Sequence, residues 1–183
     1  MNDLITSALL ILVFTVSLGI IYPFAVWGVS QVVFPHQVNG SLIEKDGKII
    51  GSELVGQNFS GEKYFHSRLS ANNYDAANSG GTNLGPTSQK LIDRVKTDAE
   101  KLQTENSTKP IPADLVTTSA SGLDPHISPA AAEFQIPRIA RERNMSETDL
   151  RAIVAKHTED RTFGIFGEPR VNILMLNLEL NKK

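Results

Sequence analysis

Leu4-Ile5-Thr6-Ser7-Ala8-Leu9-Leu10-Ile11-Leu12-Val13-Phe14-Thr15-Val16-Ser17-Leu18-Gly19-Ile20-Ile21-Tyr22-Pro23-Phe24-Ala25-Val26-Trp27 is the stretch that decides the architecture of this chain. It holds no Asp, Glu, Lys or Arg, and the next such residue is Glu44. Of the 31 residues from Leu4 to Phe34, 22 are hydrophobic. A helix rises about 1.5 Å per residue and about 20 residues cross the hydrocarbon of a bilayer. The stretch therefore predicts one transmembrane helix over about 4–27, with residues 1–34 as the anchor; a second span would not fit. A secretory signal opens on a basic region and has a shorter apolar core ending at small residues. This chain opens Met1-Asn2-Asp3, so a retained anchor is expected. Pro23 would leave a carbonyl for a partner helix or interfacial water to satisfy, and Tyr22 and Trp27 suit the far interface. Thr15 and Gly19, four apart, form a small patch where a second helix can approach. Charge says little about orientation, because no Lys or Arg flanks the span before Lys45.

Working outward, every charged residue except Asp3 lies in 44–183. Residues 35–183 are predicted to form one soluble domain of α/β (α+β) class, large enough to bury a core. With 18 Lys and Arg against 20 Asp and Glu, the net charge is -2, which excludes a basic nucleic-acid footprint. The absence of cysteine excludes disulfides, thiolate zinc, iron–sulfur clusters and thiol catalysis.

Within the domain, Ser41–Glu44 and Lys48–Ile50 read as strands joined by an Asp46-Gly47 hairpin turn. Residues 70–88, rich in Ala, Asn, Gly and Ser, read as a long loop. Thr87 or Ser88 starts a helix to about Glu105, with Leu91, Ile92, Val95, Ala99 and Leu102 on one face. Leu115–Thr117 is too short to assign. Ser128-Pro129 starts a helix over 130–144 with a kink expected at Pro137, and Ser146 and Asp149 form a capping box for the next helix. Val171–Leu180 alternates and reads as a strand, a helix opened by Pro169 being the alternative.

The four histidines are too far apart in sequence for a metal site, and none is predicted. Asp124-Pro125-His126 places an acid and a base together, but Asp-Pro is also a common start of a turn, and no nucleophile in a recognisable setting accompanies the pair. Ser79–Gly85 is glycine-rich before a helix yet lacks the lysine of a phosphate loop, so packing against a partner is expected of it. Arg138, Arg141 and Arg143 against Glu133 and Glu142 read as a solvated helix face. Arg161, Glu168 and Arg170 read as a possible buried ion pair. No catalytic residue is assigned.

The motif series goes further. Gly56-Gln57-Asn58-Phe59, Tyr64-Phe65-His66-Ser67-Arg68, Asn83-Leu84-Gly85-Pro86-Thr87, Asp114-Leu115-Val116-Thr117, Ser119-Ala120-Ser121-Gly122-Leu123-Asp124-Pro125-His126-Ile127-Ser128-Pro129-Ala130-Ala131-Ala132 and Gly167-Glu168-Pro169-Arg170-Val171-Asn172 follow one another behind the span. In that order they closely resemble the C subunit of the Kdp potassium-transporting ATPase, over nearly the whole chain. The long central run is the specific part. Leu69, Ser88-Gln89 and Asn2-Asp3 depart from the family's usual residues.

The resemblance implies a non-enzymatic accessory subunit of a bacterial inner-membrane complex, single-pass, with its domain on the periplasmic side. Its partners would be a channel-like A subunit and a P-type ATPase B subunit. Tyr74, Asn83, Gly85, Gly122, Asp124 and His126 are the residues expected at the partner interface. It further implies a catalytic chaperone that raises the ATPase subunit's affinity for ATP, with Gln135 at the position of a glutamine proposed to contact the nucleotide. No tightly bound cofactor is implied. A helix amide can equally bind a neighbouring backbone, and a domain outside the cytoplasm would meet no ATP. The alternative is an independent membrane-anchored hydrolase using Asp124 and His126.

Overall fold

A computed structural model describes residues 2–182. Internal contacts divide the chain into residues 1–50 and residues 51–183. In the first unit, α1 (Asn2–Val16), a π-helical stretch (Ser17–Ile21) and α2 (Tyr22–Val33) run on as one helix of 32 residues. This is about 48 Å, longer than the roughly 30 Å of bilayer hydrocarbon, and it passes the predicted end at Trp27. No side chain in it is buried, and large apolar residues stand exposed all round it. Such a helix needs lipid or another helix to cover it.

The π-helical stretch answers Pro23. Proline has no amide hydrogen, and its ring crowds the carbonyl four residues back. The Tyr22 amide donates to Ser17 O, one residue further than an α-helical bond reaches, so the helix widens just ahead of the proline. Local widening of this kind is one way a span tolerates proline. After α3 (Pro35–Val38) comes the predicted hairpin, β1 (Leu42–Lys45) and β2 (Lys48–Ser52). Asp46 (φ 52°) and Gly47 (φ 72°) both take the positive angles of a tight primed turn.

Residues 51–183 mix helices with a small sheet. The helices are α4 (Gln89–Glu105), α5 (Ala113–Val116), α6 (Pro129–Arg143), α7 (Glu147–Lys156) and α8 (Ile173–Leu180). The antiparallel sheet runs β3 (His126–Ile127), β5 (Arg170–Asn172), β4 (Thr158–Glu159), with Ile127 and Thr158 flanking Val171. Residues 70–88 contain neither helix nor strand, as expected.

Helix α6 lies at the centre. Ser128 Oγ accepts from Ala131 N (3.0 Å) and Pro129 opens the first turn, as the sequence predicts. Pro137 sits inside a helix that continues to Arg143, where Asn144 (φ 53°) ends it in the left-handed region. Ala131, Ala132, Phe134, Ile136 and Ile139 are buried around more than one face. They pack with Phe65 and with Leu150, Ile153, Leu176 and Leu180 of α7 and α8. Ser146 Oγ caps α7 by accepting from Asp149 N (3.0 Å), also as predicted.

The last element corrects the sequence reading. Strand β5 ends at Asn172, and 173–180 is helical. The helix is opened not by Pro169 but by Asn172, whose side chain accepts from Met175 N (3.2 Å). Its buried positions 173, 176, 177 and 180 have helical spacing. Asn177, a polar residue on the buried face, hid that period and left the alternation of leucines in view.

Candidate functional site

Tyr64-Phe65-His66-Ser67-Arg68 runs through the core with Phe65 fully buried, yet it belongs to no strand. Its amides and carbonyls must find partners elsewhere. Asn177 on α8 accepts from Phe65 N (3.0 Å) and donates to Phe65 O (2.9 Å). Gln135 on α6 accepts from His66 N (2.8 Å) and donates to His66 O (3.1 Å). Consecutive residues are thus held from two helices, with side-chain amides standing where neighbouring strands would. Gln135 Nε2 also donates to Ala131 O (3.3 Å) and its Oε1 accepts from Arg138 Nη2 (2.9 Å). Both hydrogens and both lone pairs of the amide are therefore engaged within the protein.

Arg138 extends the clamp. Nη2 also donates to Tyr64 O (3.1 Å), Nη1 to Glu62 O, and Nε to Glu105 Oε2 (3.1 Å). At 2% exposed, Arg138 is as buried as Gln135. Burying a guanidinium costs several kcal/mol unless its donors are met, and here four of them are. The expected solvated arginine face is thus corrected: of the three arginines only Arg141 matches it, pairing loosely with Glu142 (3.6 Å). Arg143 donates to Lys63 O (2.7 Å) and Leu180 O (2.8 Å) and lies 5.2 Å from the Tyr64 ring. Glu133 pairs with Lys109 (2.6 Å) and with Arg151 (2.9 Å) from α7. Because α6 is buried on several sides, arginines on it had to find carbonyls. His66 is held below its ordinary pKa, first by burial and then by Arg138, against the Gly61 carbonyl and Glu105, so its ring is neutral at pH 7.

A cleft of about 250 Å³ opens beside this clamp, lined by His66, Asp98, Lys101, Glu105 and Gln135 among others. Its carboxylates outnumber its single lysine. Sites for drug-sized ligands start near 300 Å³.

Asp124 and His126 sit in a second cluster. Asp124 Oδ1 accepts from His126 N (3.0 Å), and Oδ2 accepts from Arg68 Nη1 (3.0 Å). Burial works to raise the Asp124 pKa, but hydrogen bonds from His126 and then Arg68 outweigh it and hold the carboxyl below its ordinary value. The His126 ring lies 3.8 Å from the same carboxylate. Two hydroxyls here are otherwise occupied: Ser67 Oγ donates to Asp124 O (2.9 Å), and Ser128 Oγ caps α6 and donates to Asp114 Oδ1 (3.2 Å). An open cleft of about 510 Å³ in front of His126 carries mixed charge from Arg68, Asp114, Asp124, Glu168 and Arg170. Among the described residues no group of three His, Asp or Glu is placed to hold a metal.

The remaining interface candidates lie in loops. Tyr74, at φ 59°, donates its hydroxyl to Arg68 O (2.6 Å), and burial raises its pKa. Asn83 (φ 53°) and Gly85 are exposed, with open space around Gly85. Gly122 is buried at φ 70°, where an added Cβ would stand 2.8 Å from Gly80 O. Gly80 N donates to Ser121 O (2.8 Å) and Ser79 Oγ to the same oxygen (3.0 Å). The glycine-rich loop thus packs on this chain's own 119–122 segment. A substitution at Gly122 tests that packing before it tests any partner. The expected buried ion pair is corrected too: Arg161 pairs with Glu168 (2.6 Å) and Arg170 with Glu159 (2.9 Å), both in solvent.

Sequence reasoning missed Arg138, Asn177 and Asn106 as framework residues; Asn106 Nδ2 donates to Phe134 O (3.0 Å). The signal available was a polar residue at helical spacing among apolar ones, as at Asn177.

Four of the other quoted segments, 56–59, 64–68, 114–117 and 167–172, meet the long 119–132 run in space. Gly56 N donates to Leu123 O (2.8 Å), Ile173 N to Pro125 O (2.9 Å), and His126 pairs with Asn172 in the sheet. A family model described as "K+-transporting ATPase, c chain" matches residues 4–182. The chain belongs to the KdpC family. Proteins named "Potassium-transporting ATPase KdpC subunit" are similar to it end to end. That of Koribacter versatilis (strain Ellin345) is 60% identical over 182 residues, covering 98% of this chain and 94% of the relative. That of Bradyrhizobium diazoefficiens is 50% identical over 196 residues, covering 100% and 98%. That of Methylobacterium nodulans is 52% identical over 182 residues, covering 92% and 90%. Here the long Ser119–Ala132 run is the hub on which Gly56, Ser67, Arg68, Gly80 and Ile173 meet.

Proposed function

We propose that this chain is a non-catalytic accessory subunit of an ATP-driven potassium-uptake complex in the bacterial inner membrane. The family match across residues 4–182 carries the reading. Helix Asn2–Val33 serves as a single-pass anchor, and the domain stands on the periplasmic side. There it braces a channel-like A subunit against a P-type ATPase B subunit. The loop around Tyr74, Asn83 and Gly85 and the turn at Gly122, Asp124 and His126 face the A subunit. Asp124 and Gln135 support a bracing role, because their polar atoms are used inside the domain. The chaperone effect on ATP affinity is exerted through assembly, with Gln135 acting as framework rather than touching nucleotide. The small cleft beside Gln135 and its acidic balance support that choice.

Tagging the C-terminus, expressing the chain with its native partners and solubilising gently tests the proposal. Stoichiometric recovery of a potassium-channel-like subunit and a P-type ATPase is expected. Recovery of the chain alone, under conditions that keep other complexes intact, would contradict it. Turnover by the lone chain that is lost on His126→Ala would instead favour an anchored hydrolase.

A further inference from the structure

Between β4 and β5 the chain forms a small hairpin, Arg161-Thr162-Phe163-Gly164-Ile165-Phe166-Gly167. Its turn is built by its own backbone: Thr162 N donates to Phe166 O (2.9 Å), Phe166 N to Thr162 O (3.0 Å) and Gly164 N to Arg161 O (2.9 Å). On this ordered turn Phe163 is 89% exposed, Ile165 71% and Phe166 66%. Three large apolar side chains so displayed have no role in the domain's core. Phe163 also holds φ 54°, a region that bulky residues avoid and Asn tolerates. A bulky apolar residue kept where a small polar one would fit better marks a constraint other than folding.

We infer that this hairpin is a docking element that seats Phe163, Ile165 and Phe166 in an apolar pocket on another subunit of the potassium-transporting ATPase. The inference rests on the accessory-subunit reading and names the segment that makes the contact. The charges at its base favour a protein pocket over a lipid surface. Glu159, Asp160 and Glu168 against Arg161 and Arg170 leave a net charge of -1, and Arg161–Glu168 and Arg170–Glu159 neutralise one another. A loop built for anionic headgroups carries an excess of Lys and Arg, and one built for the interfacial layer favours Trp and Tyr. This tip has none of the four beyond the paired Arg161. A preorganised turn also suits a shaped pocket, where rigid aromatic anchors dominate binding.

The test uses the tagged full-length chain co-expressed with its native partners. A photo-crosslinking phenylalanine analogue at position 163 is expected to form an adduct with another subunit of the complex. The pair Phe163→Asn and Phe166→Ser is expected to cut co-recovered subunits about tenfold or more in stringent detergent. Its thermal midpoint should hold or rise, because the side chains are exposed and Asn suits the Phe163 angles. If the wild-type chain recovers its partners and the double variant recovers them equally, the hairpin is not the docking element. Adducts with lipid alone would assign it to the bilayer instead. A wild-type chain that recovers no partner defeats the accessory-subunit reading, and this inference falls with it. A large loss of thermal stability in the double variant would mean that the hairpin is structural and overturn the inference.

Discussion

Gln135→Ala is expected to lower the unfolding free energy by about 3 kcal/mol, because it strips partners from the half-buried amide and carbonyl of His66 and from a buried guanidinium at once. For a domain of this size that is a fall of about 10 °C in the thermal midpoint. The reason lies in the segment Tyr64–Arg68, whose His66 N and O have Gln135 as their bonded side chain. A glutamine whose task was to contact nucleotide would behave otherwise: its removal would leave the midpoint unchanged and weaken only an ATP-dependent shift. Thermal unfolding of the full-length chain in detergent, with and without ATP, separates the two. An unchanged midpoint in the variant would contradict the framework role.

Arg138→Met is expected to cost more, about 4 kcal/mol, although methionine is apolar and of similar length. The guanidinium is buried and bonded to the Glu105 carboxylate, two carbonyls and Gln135, so its removal takes the donor from each of these acceptors at once. Arg138→Lys should recover little. A single ammonium point cannot reach carbonyls of Glu62 and Tyr64 and a carboxylate in the directions that the planar fork serves. Since Arg138 and Gln135 share a hydrogen bond, the double variant with Gln135→Ala should fall short of additivity by about 1–2 kcal/mol. Urea unfolding of the four proteins measures this coupling, and strict additivity would show that the two side chains act separately.

The parts of the fold that were legible in the sequence are those governed by local chemistry. The apolar run, the Asp46-Gly47 turn, the Ser128-Pro129 start and the Ser146 cap each depend on neighbours within a few residues. What was hidden depends on partners far along the chain. Arg138 looks like a surface residue until Glu62 and Tyr64 lie against it, and Asn177 looks like the polar side of a strand until Phe65 is beneath it. Helix α6 shows no single apolar stripe because it is buried on several faces. The polar clamp offers no motif of its own, since a side-chain amide replacing a strand follows no fixed spacing. Family membership, by contrast, was readable from the Ser119–Ala132 run, which in the structure bonds to Gly56, Ser67, Arg68 and Asp114 of the other quoted segments.

The central claim is that this chain acts by holding a potassium-transporting assembly together rather than by chemistry of its own. Potassium-stimulated ATP hydrolysis by the purified assembly, prepared with the chain and with the chain omitted, tests it most directly. The account predicts that without the chain the other subunits are no longer recovered together and potassium-stimulated hydrolysis is lost, while the chain alone hydrolyses no ATP. Full assembly and activity in its absence, or ATP hydrolysis by the chain alone, would contradict it.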